Sequence, residues 1–135
     1  MSDDIVLNKV ASIDRCVARV REETASDLDV LDDQTVQDAV VLNLQRACET
    51  SVDLAMHLVA TRRLGVPQES RNAFEPLRDA GVIDPDLTER LRRMVGFRTI
   101  AVHEYRRLSR EILESIIRER LDDFAEFARS ALRAC

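Results

Sequence analysis

The segment from Arg98 to Tyr105 holds an arginine, a histidine and the sole tyrosine of the chain. A guanidinium offers a planar fork of donors that fits a phosphate, an imidazole moves a proton near neutral pH, and a phenol hydroxyl can accept a covalent group. Arg98, His103 and Tyr105 are therefore the candidates for chemistry. An α-helix turns about 100° per residue, so Arg98 and His103 lie about 140° apart on a straight helix and share no face. Arg98 and Tyr105 nearly superpose, whereas His103 falls in line with Arg92 and Gly96. Either the helix ends or distorts around His103, or a second copy of the chain supplies part of the site. Gly96, with no side chain, would let another backbone approach closely. Spacing alone favours a plainer role for His103 as a cation at a helix end.

Charge patterning places this segment in a positive setting. The chain carries a net charge of -5 over 135 residues, which argues against general nucleic-acid binding. The charge is uneven, however. Glu22, Glu23, Asp27, Asp29, Asp32, Asp33 and Asp38 face no basic residue within their window, while Arg90, Arg92, Arg93, Arg98, Arg106, Arg107 and Arg110 face Glu104 alone in theirs. A local anion site follows, with the arginines other than Arg98 read as a solvated helix face.

The elements that must hold these residues read as helices. Hydrophobic residues make up 45% and charged residues 33%, with 3 Gly and 3 Pro, the balance of a helical domain, and the length suits one domain over residues 1–135. Val6, Val10, Ile13, Val17 and Val20 predict a first helix from about Asp3 to Thr24. A cap at the end of Asp29–Asp33 starts a long second helix, about Gln34 to Leu64, stopped by Gly65-Val66-Pro67. A short third helix runs from about Ser70 to Ala80 and is closed by Gly81. Asp84-Pro85 opens a fourth, reaching about Tyr105, whose core stripe is Leu87, Leu91 and Met94. Arg98 is the next member of that stripe, a costly position for a charge unless it is paired or lines a groove. The last helix, about Ser109 to Ala134, carries Leu113, Ile116, Leu121, Phe124 and Phe127. The expected architecture is an all-α antiparallel bundle of about five helices.

Other constellations carry less. Glu49, Asp53 and His57 recur every four residues on the second helix, a spacing open to a metal or acid–base role but more ordinary as a hydrated edge of helix pairs. Cys16, Cys48 and Cys135 have neither zinc-site spacing nor the even count of a disulfide framework, and read as buried or free thiols. No phosphate-binding glycine loop, nucleophile elbow or dinucleotide fingerprint is present. No apolar run is long enough for a bilayer and the start Met1-Ser2-Asp3-Asp4 is unlike a secretion signal, so a cytoplasmic location and no membrane partner are expected.

The run Met94-Val95-Gly96-Phe97-Arg98-Thr99-Ile100-Ala101-Val102-His103-Glu104-Tyr105 resembles the signature of HepT-like proteins in the HEPN superfamily: Arg, four residues, His, any residue, Tyr. Gln37-Asp38-Ala39-Val40-Val41-Leu42-Asn43-Leu44-Gln45 resembles the second helix of that family, and Phe74-Glu75-Pro76-Leu77 with Gly81-Val82-Ile83 its middle. Thr99 departs from the pattern, since the superfamily commonly has Asn there and a hydroxyl lacks the reach of an amide. The resemblance implies a metal-independent endoribonuclease without cofactor, acting as the toxin of a type VII toxin–antitoxin pair, with its site composed across a homodimer. Arg98 and His103 would then be catalytic on an RNA substrate. A minimal nucleotidyltransferase of the MntA type would silence the toxin by transferring AMP to Tyr105. The competing readings are a non-catalytic helical subunit that docks onto a nucleotidyltransferase, and a structural adaptor.

Overall fold

The computed structural model describes residues 2–65, 72–103 and 110–135, with side chains described for 4–65, 72–99 and 110–135. These residues form helices α1 (Ser2–Glu23), α2 (Gln34–Thr61), α3 (Phe74–Asp79), α4 (Pro85–His103), α5 (Arg110–Glu119) and α6 (Leu121–Arg133), with a 3-10 turn at Leu28–Asp32. No strand occurs among the described residues. The central helix is α2, which packs against α1, α3, α4 and α6.

Capping chemistry sets most of the boundaries. The Asp27 side chain accepts from the Asp29 N–H at 2.8 Å and starts the 3-10 turn. Asp33 caps α2, accepting from the N–H groups of Thr35 and Val36. Asp84 caps α4 by accepting from the Leu87 N–H at 2.7 Å, with Pro85 at the first helical position, where no N–H is needed. Gly81, at φ 78°, closes α3: its N–H reaches the Arg78 carbonyl at 3.0 Å and the Val82 N–H reaches Leu77 at 2.9 Å.

Two expectations are corrected. First, α2 ends at Thr61, before the predicted Leu64, because the left-handed closing position is Arg63, at φ 55°. The Arg63 N–H donates to Ala60 at 3.3 Å and the Leu64 N–H to Val59 at 2.9 Å, a complete left-handed cap made on a residue that ordinarily avoids it. Secondly, the predicted last helix is two helices, so the described residues hold six. The chain turns at Arg120, where φ is -118° and ψ -10°. α6 packs against α1, while α5 leans onto the 3-10 turn, and one straight helix could not do both. The predicted start of α3 near Ser70 and the end of α4 near Tyr105 fall partly outside the described residues.

The core joins all the layers. Ile13 of α1, Leu44 and Leu54 of α2, Leu77 of α3, Leu91 of α4 and Phe124 of α6 are at most 1% exposed. Phe74 of α3 meets Phe127 of α6 edge to face, with ring centres 5.5 Å apart and planes at 83°. Burial of this apolar surface is what holds α4 against α2.

Candidate active site on α4

Arg98 emerges from the core stripe as its register requires. Leu87, Leu91 and Met94 are buried on the face of α4 turned to α2, and Arg98 continues the same row with a side chain 34% exposed. Its Nε lies 3.7 Å from Glu49 Oε1 on α2, and that carboxylate also accepts from Gln45 Nε2 at 3.3 Å. The Arg98 Nε is shielded from solvent yet makes no hydrogen bond. A half-desolvated guanidinium held by one carboxylate at ion-pair distance retains capacity for a further anion.

Beneath it, Cys48 is fully packed, and burial pushes its thiol up to about 12, although the Arg98 charge works in the opposite sense. The group stays protonated at neutral pH, so it supplies no thiolate nucleophile to the site. Cys16 is also buried and Cys135 exposed.

The predicted edge Glu49, Asp53 and His57 comes apart into different roles. Glu49 turns to Arg98, Asp53 faces solvent, and His57 is half-buried with Nε2 lacking a partner. No group of three potential metal ligands is assembled among the described residues. Glu49 as the partner of Arg98 escaped the sequence reading. Its signal was a carboxylate at the edge of the α2 apolar stripe, and only the packing of α2 on α4 reveals what it meets.

The arginine-rich window is sorted by the fold. Arg90 is only 20% exposed and pairs with Asp123, with Glu126 at 3.1 Å and with Asp86 at 3.2 Å. Arg110 ties α5 to Asp29 and to Asp32 at 2.7 Å, and pairs within α5 with Glu114 at 3.0 Å. Arg90 is thereby a partly buried tie between α4 and α6, not the solvated face expected of it, whereas the Arg110 pairs stay at the surface. Arg106 and Arg107 lie outside the described residues.

Two clefts flank α4. The first, of about 600 Å³, is mainly apolar and lies between α4, α5 and α6, with Leu44, Met94, Phe97, Ile116 and Phe124 on its walls. The second, of about 430 Å³, is polar and is lined by Glu89, Arg92, Arg93, Val95, Gly96 and Thr99. Arg98 lines neither; its neighbours Phe97 and Thr99 belong to one each. Thr99 donates its hydroxyl proton to the Val95 carbonyl at 3.2 Å.

The α4 backbone runs unbroken through His103. A distortion between Arg98 and His103 is thereby removed as a way of bringing the two together within one chain. The His103 side chain and the whole of Tyr105 lie outside the described residues, so the three motif groups are related here by register alone.

A model of the ribonuclease HepT-like family matches residues 12–131, which is most of the chain and includes the Arg98 to Tyr105 segment. The chain belongs to this family. It is 40% identical over 125 residues to the mRNA nuclease HepT of Shewanella oneidensis, covering 93% of this chain and 94% of that protein. The fold superposes with a TM-score of 0.89 on the tri-AMPylated HEPN toxin of Shewanella oneidensis, solved in complex with its MNT antitoxin, at 39% identity over 94% of this chain and 96% of that one. A toxin–antitoxin structure with AMP-PNP gives a TM-score of 0.89 at 38% identity, with 94% and 96% covered. This HepT-like chain thus keeps the length and the helical frame of its relatives, and with them the ribonuclease class.

Proposed function

We propose that this HepT-like chain is a metal-independent endoribonuclease and the toxin of a toxin–antitoxin pair, working in the cytoplasm as a homodimer. A minimal nucleotidyltransferase antitoxin would silence it by AMP transfer to Tyr105. The relatives support this reading: one is named an mRNA nuclease, and another is an AMPylated toxin solved with its antitoxin. The observation that carries the site assignment is Arg98, a charge raised from the core row and left with an unused donor.

In the proposed reaction His103 takes the proton of a ribose hydroxyl, or returns one to the leaving oxygen, while Arg98 holds the charge that builds on the phosphate. Because an unbroken α4 turns these residues about 140° apart, His103 of one copy works with Arg98 of another across a two-fold axis. The Glu49 carboxylate draws the Arg98 guanidinium toward α2 through its charge. An adenylate on Tyr105, two residues past His103, would bring bulk and negative charge to the place the RNA phosphate must occupy.

One observation favours the competing non-catalytic docking subunit. The Thr99 hydroxyl spends its proton on the helix backbone and does not replace the amide common at this position. Cleavage of single-stranded RNA by the purified protein decides between the two. His103→Ala and Arg98→Ala should each abolish cleavage while leaving the melting temperature within a few degrees. Absence of cleavage by the parent protein, with specific capture of a nucleotidyltransferase, would establish the docking reading instead.

A further inference from the structure

The polar cleft on α4 has no role in the chemistry assigned above, yet its composition is specific. Arg92 and Arg93 stand at its rim with side chains 41% and 66% exposed. Unlike Arg90 and Arg110, each paired with three carboxylates, they are held loosely. Arg92 Nη1 is 3.5 Å from Glu75 and 3.7 Å from Glu89, and Arg93 Nε is 3.8 Å from Glu89. Exposed pairs at such distances contribute little and exchange partners readily.

Gly96 forms the floor between these arginines and Thr99. A glycine inside a helix lowers its stability, and among the described residues no atom lies within 4 Å of a Cβ built at Gly96. The missing side chain leaves the helix backbone open to close approach there. Register supplies the direction: on the unbroken α4, Arg92, Gly96, Thr99 and His103 fall along one line.

We propose that this groove is the track along which the RNA strand reaches His103, with Arg92 and Arg93 taking phosphates upstream or downstream of the cleaved bond and Gly96 admitting the sugar–phosphate backbone against the helix. The inference rests on the ribonuclease reading of the same helix. Phosphates displace the Glu89 and Glu75 carboxylates from the two guanidinium groups without disturbing the fold, since none of the three pairs is buried. Arg92 and Arg93 thus give an RNA strand a local pair of exposed cations on a chain whose net charge is -5.

The test is binding of a 2′-O-methyl oligoribonucleotide, which cannot be cut through its ribose hydroxyl, by fluorescence anisotropy across a salt series. Each phosphate contact on a single strand contributes about 0.7 to the slope of log affinity against log salt. The double variant Arg92→Gln/Arg93→Gln should lower that slope by about 1.4 and weaken binding about tenfold near physiological salt. The double variant Arg19→Gln/Arg21→Gln, which removes equal charge from exposed positions on α1, should keep the parent slope. An unchanged slope in the first variant, in a parent that does cleave RNA, overturns the inference and leaves the ribonuclease reading standing. A parent that neither binds nor cleaves RNA overturns both. If the Arg92/Arg93 variant instead sediments as a monomer, or loses its nucleotidyltransferase partner with its RNA slope intact, the groove is a protein interface and the inference fails.

Discussion

Replacing Gly96 by alanine should make the protein more stable and its nuclease activity weaker. Gly96 sits well inside α4, is exposed, and has open space where a Cβ would be built. Glycine in an exposed helix interior costs about 0.8–1.0 kcal/mol relative to alanine, and no steric term from the described residues opposes that gain. For a domain of this size the gain is worth about 3–5 °C in melting temperature. In urea, with a slope near about 2 kcal/mol per molar, the midpoint should rise by about 0.5 M at constant slope. Equilibrium unfolding at two protein concentrations separates the fold from association, and RNA cleavage at fixed salt gives the second readout. The methyl group narrows the floor of the groove, so cleavage should fall as the fold becomes firmer, the usual opposition between stability and function. A lowered midpoint at both concentrations would refute the reasoning, because it would mean that the folded particle itself needs the glycine.

Asp123→Ala should cost about 1.5–3 kcal/mol, since it removes a charged hydrogen bond from the most buried of the three carboxylates around Arg90, whereas Asp86→Ala at the exposed end of the same cluster should cost under about 1 kcal/mol; urea midpoints compare the two. Glu49→Gln should change stability by less than about 1 kcal/mol, because both members of its pair are partly exposed, but lower kcat about tenfold with little change in KM as Arg98 loses the charge that draws it toward α2. Above pH 9 the unfolded chain ionises Cys48 while the folded chain holds its proton to about 12. The raised value stabilises the fold fully below about pH 9 and the benefit is lost as pH climbs toward 12, at about 1.4 kcal/mol per pH unit. Between pH 8 and 10 the parent should accordingly lose about 1.4 kcal/mol more than Cys48→Ala in paired urea titrations. Tyr105→Phe should retain RNA cleavage but gain no AMP mass when incubated with the cognate nucleotidyltransferase and ATP; an adduct equal to the parent's would place the acceptor elsewhere.

Local chemistry was legible in the sequence wherever a side chain acts on its own backbone. The caps at Asp33 and Asp84, the left-handed stop at Gly81 and the core row Leu87, Leu91 and Met94 were all readable, and so was the anomaly of Arg98 at the end of that row. What escaped depends on how helices meet. The apolar row from Leu113 to Phe127 continues across Arg120 with no glycine or proline to mark a turn, so its division into α5 and α6 is decided by what each half packs against. Arg63 closes α2 against its own propensity. Glu49 and Arg98, and Arg90 and Asp123, are far apart in sequence, and a list of charges gives no means of pairing them.

The division at Arg120 gives α5 a degree of independence. Leu113 is its sole buried residue, and its near end is fastened by Arg110 to carboxylates at Asp29 and Asp32. A ten-residue helix with one fully buried residue, and only the partly buried Ile116 and Ile117 packed beside it, has little intrinsic persistence. It is the element whose amides should open to solvent first, swinging about Arg120 while α1, α2 and α6 stay closed. Ions weaken the Arg110 fastening but leave the Leu113 contact intact, so the opening equilibrium of α5 is tuned by ionic strength. The first cleft, walled on one side by α5, breathes with it.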